Sequence, residues 1–154
     1  MLKPIFTLLL ISCLTVSASE VEVDLKEFAQ DYFAKFVATQ SPDASKKDLE
    51  NYLALPVDDV GHTHLPWVKD GSRLPDGKDA MRKGMTFYLG AHTEYSAELL
   101  DIFTFNTSAV AIRYKHHAKG IHPESKQSIE YTDVMMEVLE MEEGKVAVIR
   151  KYDE

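Results

Sequence analysis

The chain is 154 residues long and carries 25 acidic and 17 basic residues, which gives it a formal net charge of −8. This length suits a single domain that buries a proper hydrophobic core. An acidic chain without clusters of lysine and arginine is unsuited to binding nucleic acid or an anionic membrane, so neither is expected as a partner.

Residues 1–18 are typical of a secretory signal peptide. One lysine precedes an apolar run from Ile5 to Val16, and small residues mark a cleavage site after Ala18. The run is too short to span a bilayer, and no later segment is long enough to do so. We therefore expect an exported protein, periplasmic or secreted, that begins at Ser19. A lipoprotein is the alternative, because Leu10–Cys13 resembles a lipobox whose cysteine would be lipidated.

Cysteine content narrows the chemistry that is open to the exported chain. Cys13 is the only cysteine in the sequence, and it lies within the predicted leader. Cleavage after Ala18 would leave a chain without a thiol. Disulfides, cysteine-bound zinc and thiol catalysis are then excluded, and the hydrophobic core must stabilise the fold.

Two helices are predicted at the start of the mature chain. The first begins at a capping box, Asp24 to Glu27, and continues to about Thr39. Its apolar residues recur at helical spacing: Leu25, Phe28, Tyr32 and Phe36. The second helix runs from Ser45 to Leu53, after a break at Ser41-Pro42-Asp43.

A strand, a loop and a third helix follow. Val60 to Trp67 predicts the first strand, and Lys69 to Gly77 predicts a loop rich in glycine, proline and aspartate. The loop would form a flexible flap, with Trp67 as a wall of the pocket or as the anchor of this lid. Lys78 to Ala91 predicts the third helix, with a buried stripe formed by Met81, Met85, Tyr88 and Leu89.

The remainder of the chain predicts an antiparallel meander of four long strands. They cover Thr93–Phe105, Ser108–Lys119, Lys126–Met141 and Lys145–Tyr152. The last two form a hairpin whose tight turn, Glu142-Glu143-Gly144, depends on its glycine.

The order and lengths of these elements over Val23 to Asp153 resemble the nuclear transport factor 2-like superfamily, which includes SnoaL-like cyclases and ketosteroid isomerases. Gly77 before the third helix, Met136-Glu137-Val138 and Gly144-Lys145-Val146 resemble short signatures of that superfamily. The resemblance implies an α+β fold, a cystatin-like roll in which three helices pack on a strongly curved antiparallel sheet. Such a half-cone has an interior, where chemistry is expected. The superfamily carries enzymes, binding modules and assembly domains, mostly without metal, and we expect no cofactor.

Strand alternation places a carboxylate among apolar side chains. Residues two apart share a face of a strand, so Glu137 lies on the same face as Met135 and Leu139. If that face lines the cone, loss of water should raise the pKa of Glu137 and make it a proton carrier near neutral pH. Asp133 is the next candidate on this face, and Tyr131 is a candidate ligand contact.

Two histidines share one face of the first strand. His64 occupies the position where ketosteroid isomerases, which this chain resembles, keep an aspartate base. His64 would act as acid or base if Glu137 or Asp133 orients its ring, with His62 beside it as a ligand contact. They would otherwise be half-exposed histidines of an edge strand. A third interpretation is a metal site with one more histidine from His92, His116, His117 and His122, although no metal is expected overall.

Three further side chains have both a functional and a structural interpretation. Tyr32 and Tyr88 would donate hydroxyls to a developing oxyanion, as a helix-one tyrosine does in the isomerases that the chain resembles. Alternatively, each ring packs in the core while its hydroxyl reaches water or a carbonyl. Arg113 would bind an anionic group of the substrate, or it is an exposed charge of the sheet opposite a glutamate: Glu94, Glu98 or Glu130.

Two functions from different classes remain. The first is a cofactor-free exported enzyme that performs isomerase, cyclase or hydratase-type acid–base chemistry on a small apolar molecule, with His64 and Glu137 as the reacting pair. The second is a non-catalytic ligand-binding or assembly domain of the same fold. The outer sheet face carries an apolar row, Val134, Met136 and Val138, which predicts a homodimer that packs sheet to sheet.

Overall fold

The structure is a computed structural model, and it describes residues 23–154. The predicted signal peptide and Cys13 lie outside the described residues. Within residues 23–154, no helix has the length and apolar character needed to cross a membrane. In chain order the elements are α1 (Leu25–Gln40), α2 (Lys46–Leu53), β1 (Pro56–Leu65), α3 (Gly77–Tyr88), β2 (His92–Phe105), β3 (Ala109–Ile121), β4 (Ser128–Glu142) and β5 (Lys145–Asp153).

The first two helices begin where their capping residues predict. Asp24 Oδ1 accepts hydrogen bonds from the backbone N–H groups of Lys26 and Glu27, at 2.9 and 3.2 Å. Ser45 and Asp48 form a reciprocal capping box at the start of α2. These side chains satisfy donors that the first helical turn leaves without an intrahelical partner.

The five strands form an open sheet in the order β1-β5-β4-β3-β2. Strands β2 to β5 make the predicted antiparallel meander. Strand β1 pairs in parallel with β5, and His62 lies opposite Ile149. The sheet is therefore mixed, and the prediction of a wholly antiparallel sheet is wrong at this edge. Two hydrogen-bonded strands that are distant in sequence pair in either direction, so the side-chain pattern of β1 does not encode the choice.

The helices cover one face of the sheet, here called the inner face. Strand residues in the apolar core include Val110, Ile112, Leu139, Val146 and Ile149, and they lie under helix residues Leu25, Ala29, Leu49 and Leu53. Along the strands this aliphatic half gives way to polar and aromatic side chains, here called the polar half of the inner face: His62, His64, Tyr95, Tyr114, His116, Tyr131, Asp133, Glu137, Lys151 and Asp153. The core extends to Tyr114 and Met135, so it reaches into the polar half, where the candidate site residues of the sheet lie.

Helix α3 differs from its prediction. It ends at Tyr88, three residues before Ala91, and none of its residues is fully buried. Met81 and Met85 are partly buried against the core, but Tyr88 is 52% exposed. The prediction of a buried Tyr88 is wrong because α3 packs mainly on β1 and α2 at the rim of the fold. An amphipathic stripe indicates that a helix packs, without indicating how deeply.

The loop after β1 lies against that strand. A Cβ atom on Gly61 would collide with the carbonyl oxygen of Gly71, so the two backbones pass too closely for any other residue at position 61. Arg73 donates to both carboxylate oxygens of Asp59, at 3.1 and 2.8 Å, and to Glu142 at 2.5 Å. The loop is fastened to the outer side of β1, so the predicted free flap over the interior is wrong.

Candidate functional site

Glu137 is the centre of the polar half of the inner face. It is only 2% exposed. Its Oε2 accepts a hydrogen bond from the Tyr32 hydroxyl and its Oε1 one from the Tyr114 hydroxyl, both at 2.7 Å. The Tyr32 hydroxyl also lies 2.8 Å from the hydroxyl of Tyr52. Helices α1 and α2 and strand β3 thus each contribute a tyrosine to one buried network.

Lys151 supplies the positive charge of this network. Its Nζ lies 3.5 Å from Glu137 Oε1, and its side chain is largely buried. The same ammonium lies 5.1 Å from the centre of the Phe36 ring and 5.9 Å from that of Tyr114. An ammonium over aromatic faces beside a carboxylate is favourably placed even with little water. The ion pair is therefore held from several sides.

The surroundings of Glu137 set its protonation state. Burial raises the pKa of Glu137, but Lys151, the hydrogen bonds from Tyr32 and Tyr114, and His62 together outweigh burial and hold it below the ordinary value. The predicted rise in the pKa of Glu137 is wrong. Strand alternation identifies the apolar neighbours of Glu137 on β4, but the groups that donate to its carboxylate lie on other elements. Burial, followed by the charge of Glu137, raises the pKa of Tyr114, so Tyr114 stays a neutral donor.

His64 lies at the edge of the polar half. Its Nε2 is 3.0 Å from Asp153 Oδ1, and both side chains are partly exposed. The orienting carboxylate is therefore Asp153, and neither Glu137 nor Asp133 fills the role that the sequence suggested for them. His62 is half-buried between these groups. Burial lowers its pKa, and the opposing effect of Glu137 does not restore it.

A second group on the polar half surrounds His116. The centres of the rings of Tyr95, Tyr114 and Tyr131 lie 5.9, 5.7 and 5.5 Å from that of His116. Asp133 lies opposite His116 in the strand register and is exposed. Tyr131, which is 37% exposed, forms the outer wall of the group. Asp133 and Tyr131 are thus on the predicted face, near its open edge.

Three predicted site residues lie elsewhere. Tyr88 contacts the His122 ring at the rim, with ring centres 5.8 Å apart. Trp67 is 76% exposed, so it is not a wall of the interior. Arg113 lies on the outer face, where it donates to Glu154 at 2.6 and 2.9 Å and to Asp101 at 3.4 Å. Arg113 is thus a partly exposed charge of the sheet that pairs with carboxylates, as its structural interpretation predicted. Its partners are Glu154 and Asp101, whereas Glu94, Glu98 or Glu130 was expected.

Sequence reasoning missed Tyr52, Tyr114 and Lys151. Strand alternation places Tyr114 on the same face of β3 as Ile112 and His116, but it does not indicate that the hydroxyl meets Glu137. Lys151 was hidden by a bulge in the last hairpin, which shifts the pairing by one residue. Tyr52 lies on the buried side of α2, and nothing in the local sequence indicates that its hydroxyl meets Tyr32.

The histidines do not form a metal centre in the described part of the chain. Residues 23–154 contain no group of three or more His, Cys, Asp or Glu side chains that could hold a metal ion. The His92 ring pairs with the backbone oxygen of Gln40 at 2.9 Å, and His117 pairs with Thr132 on the outer face at 2.8 Å. His92 and His117, two of the four histidines considered as a third metal ligand, therefore bond to other groups.

Two open surface clefts lie away from these groups. One, of about 440 Å³, is formed by the start of α1 and the β2–β3 turn, including Leu25 and Asn106. The other, of about 350 Å³, is formed by the start of β1 and the β4–β5 turn, including Asp58 and Lys145. Neither is lined by Glu137 or its partners. The residues of the polar half that are exposed or partly exposed to solvent include Tyr131, Asp133, His64 and Asp153.

Similar solved structures establish the fold. No protein-family model matches the sequence, and a search of curated proteins finds no relative. A nuclear transport factor 2-like protein of unknown function from Exiguobacterium sp. 255-15 superposes with a TM-score of 0.60 at 13% identity, over 82% of this chain and 97% of that one. For a putative polyketide cyclase from Xanthomonas campestris pv. campestris the TM-score is 0.58 at 16% identity, over 82% and 87% of the two chains.

An LEH-like epoxide hydrolase from M. tuberculosis is also similar, with a TM-score of 0.57 at 15% identity over 80% of each chain. The names of these proteins refer to different activities or to none, but the proteins share one architecture. The three helices and the open five-stranded sheet of this chain therefore have the α+β cone fold of the nuclear transport factor 2-like proteins.

Proposed function

We propose that this protein binds a small organic molecule at the polar half of the inner face, as a non-catalytic binding domain. The observation that carries this proposal is the concentration of polar and aromatic side chains on one half of a face whose other half is an aliphatic core. A packed core has no need of such side chains, because burying polar groups costs free energy unless each is paired. Their presence favours a role in recognition.

The contacts of Glu137 suit a structural role in this site and do not suit proton transfer. Its Oε1 is shared by Tyr114 and Lys151, and its Oε2 is occupied by Tyr32. A carboxylate that is ionised and fully hydrogen-bonded is a poor general base, and it cannot act as an acid near neutral pH. We assign it to the rigid floor of the site. The partly exposed side chains at the edge, Asp133 and the bonded pair His64 and Asp153, are placed where a ligand could meet them.

The similar structures support a small-molecule role. Among them are a putative polyketide cyclase and an LEH-like epoxide hydrolase, names that refer to small organic substrates. The identity of the ligand does not follow from this likeness.

Two adjacent residues on β4 allow a matched test. Asp133 is exposed on the inner face, and Thr132 is exposed on the outer face. A small-molecule library is screened by thermal shift, since a ligand that binds the native state raises its melting temperature. Compounds that stabilise the wild type should lose their effect in Asp133→Trp, where the indole blocks the edge, and keep it in Thr132→Trp. Equal stabilisation of both variants would contradict the proposed location.

A second candidate function rests on the His64–Asp153 pair. A histidine whose ring is held by a carboxylate at 3.0 Å is arranged for general acid–base catalysis. The protein would then accelerate proton exchange at the α-carbon of a simple ketone such as cyclohexanone in heavy water, measured by NMR. His64→Gln should abolish the acceleration, whereas His117→Gln, a change on the outer face, should not. Exchange at the uncatalysed rate would leave the binding role as the only candidate of the two.

Export remains part of the proposal and rests on residues 1–18 alone. The apolar run and the small residues before Ser19 support cleavage by a signal peptidase. The intact mass of the protein recovered from periplasm or medium should match a chain that begins at Ser19. A diacylated chain that begins at Cys13 would instead establish the lipoprotein alternative.

A further inference from the structure

Three buried polar atoms on the inner face have no hydrogen-bond partner among the described residues. They are both ring nitrogens of His116 and the hydroxyl oxygen of Tyr95. His116 is 8% exposed, and its ring lies 5.9 Å from that of Tyr95, so the three atoms belong to one cluster. Buried polar groups are nearly always paired, because an unpaired one loses its hydration and gains nothing in exchange. Three together indicate a place where a binding partner supplies the hydrogen bonds.

Neighbouring side chains define what fits. Tyr95, Tyr114 and Tyr131 surround the imidazole with aromatic rings. Of the charged groups near His116, Lys151 and Glu137 form an ion pair with each other and Asp133 is exposed to solvent, so no unpaired buried charge faces the ring nitrogens. Burial is the main cause that lowers the pKa of His116, and the charge of Lys151 lowers it further. The ring is therefore neutral near neutral pH. A neutral imidazole presents one N–H donor and one acceptor, and a phenol hydroxyl serves as either.

We propose that His116 and Tyr95 anchor the polar end of an uncharged ligand that carries both a hydrogen-bond donor and an acceptor, such as a primary amide or an alcohol. The inference rests on the proposed binding role and adds its anchor atoms and ligand class. Tyr131 is the partly exposed wall of the cluster, and its ring meets that of His116 edge-on at 5.5 Å. Outward rotation of Tyr131 would open the path to both anchors.

Benzamide and three matched probes test the ligand class. Benzamide carries the donor–acceptor pair on an aromatic ring. Benzoate and benzylammonium carry opposite charges on the same ring, and toluene carries no charge and no hydrogen-bonding group. In isotope-edited NMR, millimolar benzamide should shift the ring signals of His116, and the other three should bind about tenfold or more weakly. Benzamide that leaves the His116 signals unchanged overturns the inference, as does equal binding of the charged probes.

Variants separate this inference from the proposed function. Tyr95→Phe, which removes a single unpaired oxygen, should weaken benzamide binding about tenfold without lowering stability, and His116→Leu should act in the same direction. Tyr131→Ala, which opens the path, should bind benzamide at least as well as the wild type. If benzamide or toluene instead shifts Met135 and His64 signals without reaching His116, the anchor is wrong and the binding role stands. If no probe perturbs any inner-face signal, both fail.

Discussion

The carboxylate of Glu137 has a definite effect on stability because its pKa is lowered in the folded state. Burial opposes ionisation, but Lys151 and the hydroxyls of Tyr32 and Tyr114 favour it more strongly. A group whose folded pKa lies below its unfolded pKa contributes stability above the unfolded value, and this contribution is lost as pH falls through the folded value. Glu137 therefore stabilises the fold near neutral pH. The sequence alone predicted the opposite sign.

Glu137→Gln should destabilise the protein near neutral pH. The change leaves Lys151 buried without its counter-ion, and removal of one partner of a buried ion pair costs about 3–5 kcal/mol. Urea denaturation should show this loss near neutral pH and a smaller one in acid, where the wild-type carboxylate also becomes protonated. Glu140→Gln is the matched control: Glu140 points to the opposite face and bonds Arg150 at 2.6 Å in a partly exposed pair, so its loss should cost less than about 1 kcal/mol. Equal stability of Glu137→Gln and wild type would contradict the network.

Two tyrosines on neighbouring strands form a second matched pair. The Tyr114 hydroxyl donates to Glu137 at 2.7 Å, whereas the Tyr95 hydroxyl is buried without a partner in the described chain. Tyr114→Phe should cost about 1–3 kcal/mol in the free energy of unfolding, because a buried carboxylate loses a donor. Tyr95→Phe should cost nothing or stabilise slightly. Thermal and urea unfolding of both variants measures the difference, and a larger loss for Tyr95→Phe would show that its hydroxyl is paired in solution.

The face of Glu137 was predictable from the sequence, but its partners were not. Alternation along β4 places Glu137 with Met135 and Leu139, which needs only neighbouring residues. Tyr32 and Tyr114 come from positions 105 and 23 residues away, and no local pattern relates them to Glu137. A pKa depends on all groups within a few ångströms, so a prediction that used one strand obtained the wrong direction.

At the scale of the elements, one bulge decides which charge meets Glu137. The β4–β5 turn pairs Glu142 with Lys145, and continuous pairing from there would place Arg150 opposite Glu137. The pairing shifts by one residue between Met141 and Glu140, where Ala147 is skipped, and brings Lys151 opposite Glu137. A shift of one residue exchanges the two faces of a strand. The hairpin was therefore predictable from its glycine turn, and the ion pair was not.

The boundaries of α1 and α2 were predictable because local side chains determine them. Asp24 and Ser45 cap these helices through bonds to nearby backbone N–H groups. The depth of α3 and the parallel direction of β1 depend on contacts with distant segments, and both predictions were wrong there. Local chemistry thus decides where an element begins, and tertiary packing decides how it is placed.

The contact between β1 and its following loop provides a test at this scale. Gly61→Ala would place a methyl group against the Gly71 carbonyl, so the loop must move away from the strand. We expect a loss of about 1–3 kcal/mol and faster hydrogen exchange over residues 69–76. Gly84→Ala is the control: that glycine lies in α3 with no atom near its added Cβ, and the change should stabilise the helix by about 0.5–1 kcal/mol. Unchanged exchange in Gly61→Ala would show that the loop is not held by this contact.

At the scale of the whole molecule, the outer face has an apolar row between charged groups. Val134, Met136 and Val138 on β4 are only partly buried. Arg113 on β3 bonds Asp101 and reaches across β4 to Glu154, whose backbone pairs with Val134, and Arg150 on β5 bonds Glu140 at the other end of the row. An apolar centre with a polar rim is the usual anatomy of a protein interface. A two-fold contact would pair each row with its own copy.

We therefore predict a homodimer that buries the outer sheet face. Light scattering at micromolar concentration should give the mass of two chains, and the melting temperature should rise with protein concentration, because association stabilises the native state by mass action. Met136→Lys should give the mass of one chain, since it places a charge at the centre of the apolar row. Thr132→Lys, on the same face but at the exposed end of β4, should remain dimeric. A wild-type mass of one chain, or a Met136→Lys variant with unchanged mass and stability, would show that the outer face is a solvent-exposed surface.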